Sequence, residues 1–237
     1  MKIAQDIYSE SSVQLHKLGE LHVDEWGDKF RYVLNAGSAL VTADLVQEPA
    51  EDTQFNTMAV DTARAIGVST ITAVNGTTTV TAGMFDGGHL TVDTSDGIGQ
   101  RFHILSHTTG TSGATLTWRL DRPLKIALTT NSKVSVRKNP YNGVIINPTT
   151  QTGMQDGFAL FALAASKYAW VQSGGEAAVR FDTGANTGDS LLGIEASSAV
   201  AGNVKVSAGT SGDSLLGYGR QVTSVDSTVS IARIILD

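Results

Sequence analysis

A six-residue phrase occurs twice in the C-terminal part of the chain. Gly188-Asp189-Ser190-Leu191-Leu192-Gly193 returns 24 residues later (188 to 212) as Gly212-Asp213-Ser214-Leu215-Leu216-Gly217. Gly-Asp is typical of a tight turn, and the Leu-Leu that follows is typical of the start of a buried strand. A turn and strand that recur at a fixed spacing indicate repeated supersecondary structure rather than one catalytic centre. The phrase therefore predicts two short strands of a β-barrel or β-sandwich.

The same turn-and-strand pattern runs through most of the chain. Apolar and polar side chains alternate over short segments, which Gly, Asn and Ser turns separate about every eight to twelve residues, as is typical of all-β domains. Asn75-Gly76 is the strongest two-residue hairpin signal, and it predicts that residues 68–74 pair with residues 77–82. Only residues 56–66 have an apolar spacing that suits a short helix. The sequence thus predicts an all-β fold, a short-stranded β-barrel or sandwich with little helix.

A change in composition along the chain predicts a nested domain organisation. The middle of the chain is rich in Thr, Ser and His, whereas the C-terminal part is richer in Gly, Ala and aliphatic side chains. The strands expected near the N-terminus are too few to pack alone, because a two-stranded unit is marginally stable in water. We expect a base β domain of residues 21–55 with 150–237, and an inserted β subdomain of residues 56–149. The alternative is two sequential β domains divided near Pro148.

Residues 1–20 contain apolar side chains but no compact apolar cluster. Ile7, Val13 and Leu18 alternate with acidic and other polar residues. Ordering a free tail costs about 1–2 kcal/mol per residue, so such a segment becomes ordered only against a surface that compensates for this cost. We expect an extended N-terminal arm that contacts a partner surface or a neighbouring subunit, rather than a helix of the base domain.

Composition limits the classes of function. The chain has 237 residues, no Cys and a formal net charge of −6, with a pI near 5.3. Without Cys there is no disulfide framework, thiolate metal site or cysteine nucleophile, and the acidic balance argues against nucleic-acid binding. The longest apolar stretch, residues 158–165, is much shorter than the roughly 20 residues that cross a bilayer. No segment has the pattern of a signal peptide, so we expect a soluble protein made and used without secretion.

The repeated Gly-Asp-Ser-Leu also resembles the nucleophile signature of a family of esterases, which makes Ser190 and Ser214 candidate nucleophiles. A serine nucleophile needs a base and an oxyanion site. No His follows His107, so the base would be His103 or His107, and the Asp-x-x-His element that the resemblance requires downstream is absent. We therefore predict that the chain is not an enzyme and has no catalytic residues. A serine esterase that uses Ser190 or Ser214 is kept as an alternative.

Two further patterns suggest metal ligands. His103 and His107 are four residues apart, which on a regular strand places both on one face, where they bind zinc if a third ligand converges. Asp93 and Asp96 beside Gly97 have part of the pattern of a calcium loop, but the alternating Asp or Asn ligands and the terminal Glu are missing. Surface positions and turn chemistry explain both patterns more simply. We predict no metal site and no cofactor.

Several phrases stand in a fixed order along the chain. They are Phe30-Arg31-Tyr32 with Gly37-Ser38 and Leu45-Val46-Gln47; Gly87-Gly88-His89-Leu90-Thr91-Val92; Gly97-Ile98-Gly99-Gln100-Arg101-Phe102; Asn139-Pro140-Tyr141-Asn142-Gly143-Val144; and Tyr168-Ala169-Trp170-Val171-Gln172-Ser173-Gly174-Gly175. This order resembles the capsid decoration, or cement, proteins of tailed bacteriophages. In that family a G-x-L-x-V … G-x-G-x-x-[YF] stretch precedes an N-P-Y-x-G-V turn, and a Y-x-W-V-Q-x-x-G strand and a small C-terminal barrel follow. The resemblance covers most of residues 28–237.

The resemblance implies a structural virion protein that decorates and stabilises a capsid by binding the lattice of the major capsid protein. It also implies a homo-oligomer, most simply a trimer, on the capsid exterior after assembly in the host cytoplasm, with the arm of residues 1–20 on the shell or a neighbouring subunit. The run of residues 158–163 favours self-association, because both faces of that strand are apolar and need cover. Neither nucleic acid nor a membrane is an expected partner. A tail or fibre module that binds a host glycan is the alternative.

Overall fold

A computed structural model of the chain describes residues 4–182, 193–207, 214–221 and 228–237. These residues contain a single 3₁₀ turn, Thr53–Phe55, no α-helix and sixteen β-strands: β1 Leu21–Val23, β2 Lys29–Asn35, β3 Leu45–Gln47, β4 Met58–Ala59, β5 Thr70–Val74, β6 His89–Thr94, β7 Arg101–His107, β8 Thr115–Leu120, β9 Lys133–Arg137, β10 Asn142–Ile146, β11 Gln155–Ala159, β12 Tyr168–Phe181, β13 Gly193–Ala196, β14 Val204–Val206, β15 Gly217–Gln221 and β16 Thr228–Ile235. The prediction of an all-β fold is confirmed.

The strands belong to two compact units that are nested in the sequence. Unit 1 consists of Met1–Ala50 and Pro140–Asp237, and unit 2 consists of Glu51–Asn139. The inserted unit therefore begins and ends earlier in the chain than the expected range of 56–149. β1, β2 and β3 share a sheet with the C-terminal strands, so a single division near Pro148 does not describe the chain.

Unit 1 is built around the long strand β12. This strand pairs with β2 and β11 through its first half, and with β16 and β14 through its second half. The order β2-β10-β3-β11-β12 closes into a ring of five strands because β12 also pairs with β2, and the order β12-β14-β13-β15-β16 closes in the same way. Among the described strands β1 pairs with β2 alone and stands outside both rings. The sheet thus forms two small barrels that share one strand.

Each barrel of unit 1 has its own apolar core. Ala169 and Val171 of β12 lie in the first core, whereas Val179 and Phe181 lie in the second. Between these halves, the pairing of β12 with β2 shifts register after Gln172. A bulge adds one residue to a strand, so odd-numbered side chains before the bulge and odd-numbered side chains after it face opposite sides of the sheet. One strand can therefore contribute to two barrel interiors.

The repeated phrase leads into two neighbouring strands of the second barrel. β13 begins at Gly193 and β15 at Gly217, and Ile194 lies opposite Gly217 in their antiparallel pairing. A Cβ at Gly217 would lie 2.1 Å from the carbonyl oxygen of Arg233, so glycine is needed where β16 approaches. The second strand begins at Gly217, directly after the Leu215-Leu216 pair at which the phrase predicts its start. Residues 188–192 of the first phrase lie outside the described residues.

Unit 2 is one antiparallel sheet around a single apolar core. Its strands have the order β4-β9-β6-β7-β8-β5, and a bridge between Val60 and Ala73 joins the two ends of the sheet. Trp118 is the largest side chain of the core; its ring packs edge-to-face on Phe85, which packs in turn on Phe55. The six short strands thus surround an aromatic centre.

The predicted hairpin at Asn75-Gly76 is wrong. Neither residue has the positive φ that a type I′ turn requires at both central positions. The Asn75 N–H instead donates to the carbonyl of Ala114, and its Nδ2 donates to the carbonyls of Thr78 and Thr111. β5 consequently pairs with β8 rather than with residues 77–82. Hydrogen bonds of the Asn75 side chain to the nearby Thr78 and the distant Thr111 have replaced the type I′ turn.

The short helix predicted at residues 56–66 is also wrong. Met58–Ala59 is strand β4, paired with β9, and the turn Thr53–Phe55 before it is capped by Asp52, whose Oδ1 accepts the N–H of Gln54. Phe55, Met58 and Val60 all enter the core of unit 2. The apolar spacing that suited a helix is produced here by a turn followed by extended backbone.

Residues 4–20 form a non-helical strap along unit 1, called here the N-terminal strap. Ile7 and Leu18 pack on an aromatic cluster that contains Tyr32 and Trp170. Gln5 is the main polar anchor of the strap: its Oε1 accepts the Tyr32 hydroxyl at 2.7 Å, and its main-chain carbonyl accepts Nε1–H of Trp170 at 3.3 Å. The strap is thus ordered on its own chain. This corrects the expectation that the segment needs a partner surface to become ordered.

Replacing Gln5 by Ala is expected to destabilise unit 1 by about 2 kcal/mol, because it leaves the buried Tyr32 hydroxyl without an acceptor. The measurement is urea unfolding followed by Trp170 fluorescence in a W26F/W118F background. Val13→Ala, at an exposed position of the strap, is the matched control and should shift the free energy of unfolding by less than about 0.5 kcal/mol. Equal losses in the two variants would contradict the anchoring role of Gln5.

Candidate interaction surface

The serine candidates of the repeated phrase are only partly described. Ser190 lies outside the described residues. Ser214 is exposed at a polar cavity of about 120 Å³ in unit 1, and no histidine is among the described residues that line this cavity. The predicted bases, His103 and His107, belong to unit 2. The esterase alternative gains no support from this cavity.

His103 and His107 do not share a face of β7. The pairing of β7 with β8 shifts register between the two histidines, so a bulge turns them to opposite sides. His103 is exposed and lies beside His89 of β6, with the ring centroids 4.5 Å apart. The His107 side chain is buried, and its ring packs against Phe85 and Trp118. A spacing of four residues indicates a shared face only on a regular strand.

Asp93 and Asp96 accept hydrogen bonds from hydroxyl groups of unit 2. Asp93 Oδ2 accepts the Ser135 hydroxyl at 2.5 Å, and Asp96 Oδ2 accepts the Thr129 hydroxyl at 3.1 Å. These bonds connect β6 and the turn after it to β9 and the segment before β9. In the part of the chain that the structure describes, no group of three or more His, Asp or Glu side chains is placed to hold a metal ion.

The alternative of a glycan-binding fibre module would be favoured by a row of exposed aromatic side chains on one sheet, or by a triple β-helix. The most exposed Tyr and Trp side chains of the described ranges lie on different elements of unit 1: Tyr8 lies in the strap, Trp26 follows β1, and Tyr218 lies on β15. The described C-terminal strands close a five-stranded ring within one chain. Neither favouring feature is present among these residues.

A bidentate ion pair fixes one end of unit 1. Arg31 Nε donates to Asp237 Oδ2 at 2.7 Å, and Arg31 Nη2 donates to Asp237 Oδ1 at 2.6 Å. The Ser173 hydroxyl also donates to Asp237, and Arg31 Nη1 donates to the carbonyl of Gly19. The Arg31 guanidinium holds the pKa of Asp237 below its usual range. These bonds join β2, β12, the strap and residue 237.

Asp156 is buried near this ion pair without joining it. Its side chain is only 8% exposed, and its Oδ2 has no hydrogen-bond partner among the described residues. Burial is the main cause that raises the pKa of Asp156 to about 8; the charges of Glu48 and Asp237 contribute to this rise, and Arg31 partly opposes it. At neutral pH the folded unit therefore keeps most of this carboxyl protonated.

The apolar run of residues 158–163 is covered by its own chain. Phe158 lies in the core of the second barrel, and Ala159 and Leu163 lie in the core of the first. Leu160 packs on the aromatic cluster beneath the strap. Unit 1 thus buries Phe158, Ala159 and Leu163, whereas Leu160 and Phe161 are half-buried and Ala162 is exposed. Most of the run is therefore covered within its own chain.

The outer side of the second barrel carries apolar side chains in solvent. On β16 the exposed Val229, Ile231, Arg233 and Ile235 alternate with residues of the barrel interior. Tyr218 of β15 is exposed and lies opposite Arg233. Tyr218, Ile231, Arg233 and Ile235 are called here the β15–β16 face. Exposed apolar side chains grouped on one sheet face make this face a candidate interaction surface.

A rigid acidic turn follows β1. Asp24 Oδ1 accepts the N–H groups of Trp26 and Asp28, each at 2.9 Å, and Gly27 takes the left-handed conformation with φ 88°. Trp26 is 83% exposed at the tip of this turn, and Glu25 beside it is exposed as well. Residues 24–28 are called here the acidic Trp turn. Ordered backbone thus presents a large aromatic side chain to solvent among carboxylates.

No protein-family model, curated protein or solved structure matches this chain. Within the described ranges, no helix has the length and apolar character needed to cross a membrane. Function is therefore inferred from the sequence and from the surfaces described above.

Proposed function

We propose that this chain is a structural virion protein that decorates and stabilises the capsid of a tailed bacteriophage, by binding the lattice of the major capsid protein from the exterior. The observation that carries this proposal is the exposed apolar surface of unit 1, which includes the β15–β16 face and the acidic Trp turn. Exposed apolar patches on a folded domain favour protein contacts. The order of the sequence phrases favours a capsid as the partner.

The architecture suits a protein that works by binding many copies of one surface. Closure of each ring in unit 1 pairs the strands of both barrels and leaves few free strand edges for uncontrolled pairing. A homotrimer would bind a lattice through several equivalent sites at once, so contacts of modest individual affinity would together give a high overall affinity. Decoration needs no catalytic residue, metal or cofactor, only a rigid scaffold and contact surfaces.

Shells of the phage that encodes the chain, prepared without this protein, are expected to bind it saturably when the two are mixed. Co-sedimentation measures the bound copies, which should reach a fixed ratio to the major capsid protein because lattice positions are equivalent. Bound shells should also withstand a higher temperature before they rupture, since a ligand that binds only the intact state stabilises it. Shells of an unrelated tailed phage serve as the control. Failure to co-sediment at micromolar concentration would contradict decoration.

A further inference from the structure

We propose that the acidic Trp turn of one copy docks on the β15–β16 face of a second copy, so that the chain associates head to tail. This inference deepens the homo-oligomer of the proposed function and rests on it. Its test requires only the purified chain, so it can fail or succeed independently of capsid binding.

The β15–β16 face has a cation at its centre. Arg233 lies between Ile231 and Ile235 along β16 and opposite Tyr218 across the sheet. Glu176 of the neighbouring strand β12 also lies opposite Arg233. Its Oε1 lies 3.4 Å from Arg220 Nη1, so Glu176 forms its ion pair with Arg220. Among the described residues Arg233 itself makes no ion pair of 4 Å or less. The face therefore combines apolar side chains with a guanidinium group that is available for a carboxylate.

The acidic Trp turn has the complementary chemistry. Trp26 and the exposed side chains of Leu21 and Val23 on β1 supply apolar surface, and Glu25, the residue before Trp26, supplies an exposed carboxylate. Trp, Tyr and Arg are the side chains most enriched among residues that dominate binding energy at protein interfaces. The hydrogen bonds of Asp24 already order the turn, so docking would cost little additional conformational entropy.

The turn of one copy complements the face of another copy better than either surface complements the same surface on another copy. Face against face would bring two Arg233 groups together, and turn against turn would bring two Glu25 groups together, whereas face against turn pairs opposite charges. Trp26 and Ile231 are both exposed in the single chain, so the two surfaces do not cover each other within one copy. A contact between two different surfaces forms a ring if its rotation closes. Three copies in such a ring would give the proposed trimer.

The test compares two variants, Trp26→Ala and Arg233→Glu, by light scattering and sedimentation velocity at micromolar concentration. We expect the wild type to be a closed oligomer and each variant to dissociate at least about tenfold more readily. In an equimolar mixture, R233E supplies an intact turn and W26A supplies an intact face. One contact can therefore form between the two variants, and the mixture should contain a mixed dimer and nothing larger. Tyr8→Ala and Arg119→Glu change exposed residues elsewhere and should keep the wild-type mass.

The measured masses test the contact, the trimer and capsid decoration separately. A monomeric wild type, a W26A variant with the wild-type mass, or a variant mixture that stays monomeric would overturn the proposal. If R233E fails to fold, as judged by circular dichroism, R233A replaces it with the same expected loss of mass. A closed ring of another size, with the mixed dimer present, would support the contact and contradict the trimer. Normal association without shell binding would support the contact and contradict decoration.

Discussion

Replacing Asp156 by Asn is expected to remove most of the pH dependence of unit 1 stability between about pH 4 and pH 8. The pKa of Asp156 is about 8 in the folded chain, whereas an Asp carboxyl in an unfolded chain has a pKa of about 3.9. The folded state thus keeps a proton that the unfolded state has released. Wild-type stability is full below the unfolded pKa and falls as the pH rises through the folded pKa, by on the order of 5 kcal/mol in total.

Urea unfolding at several pH values measures this effect, with Trp170 fluorescence in the W26F/W118F background as the probe of unit 1. The D156N variant should be more stable than its parent above the folded pKa and nearly equal to it at low pH. Glu25→Gln, which changes an exposed carboxylate of the same unit, should keep the wild-type profile. If the free energy of unfolding changed with pH in the same way for D156N and its parent, Asp156 would not be the buried carboxyl that stays protonated.

Asp237 contributes the opposite pH dependence in a lower window. Because Arg31 holds the pKa of Asp237 below its usual range, this ion pair stabilises the fold above the unfolded pKa. The contribution is lost as the pH falls through the folded pKa of Asp237. The loss of stability at low pH should therefore persist in the D156N variant. Measuring its unfolding free energy against pH separates the contribution of Asp237 from that of Asp156.

Replacing Trp118 by Ala is expected to destabilise unit 2 by about 3–5 kcal/mol, because the side chain is wholly buried and a large cavity would remain. Trp118→Phe should cost much less. The indole Nε1 has no hydrogen-bond partner among the described residues, so its removal breaks no described hydrogen bond, and the phenyl ring still contacts Phe85. Thermal and urea unfolding followed by circular dichroism measure both variants. Equal losses would contradict the packing described for this core.

Outside residues 56–66 and 77–82, alternation indicates the strands of unit 2 because one face of its sheet is buried. The alternation of polar and apolar side chains over Lys133–Arg137, for example, indicates a strand, and the structure has β9 there, with Val134 and Val136 in the core. β12 was harder to predict, since residues 168–172 and 176–181 appear as separate segments around Gly174-Gly175. In the structure this glycine pair continues the strand next to its bulge, and Gly175 has φ 92°. Composition alone does not distinguish such a bulge from a turn.

The candidate surfaces were only partly visible in the sequence. β16 has apolar residues at both odd and even positions, which is the available signal that its outer face is also apolar. The run of residues 158–163 has the same signal, yet its own chain covers most of it. Long-range packing decides between these two outcomes. The buried state of Asp156 likewise depends on packing against distant segments of the chain.

A reconstruction of the phage particle at a resolution that traces β-strands tests capsid decoration most directly. We expect density for both units on the capsid exterior at regular lattice positions, in contact with the major capsid protein. The acidic Trp turn of one copy should lie on the β15–β16 face of the next. Density for this chain in the tail or its fibres, or complete capsids that lack it, would contradict the proposed function.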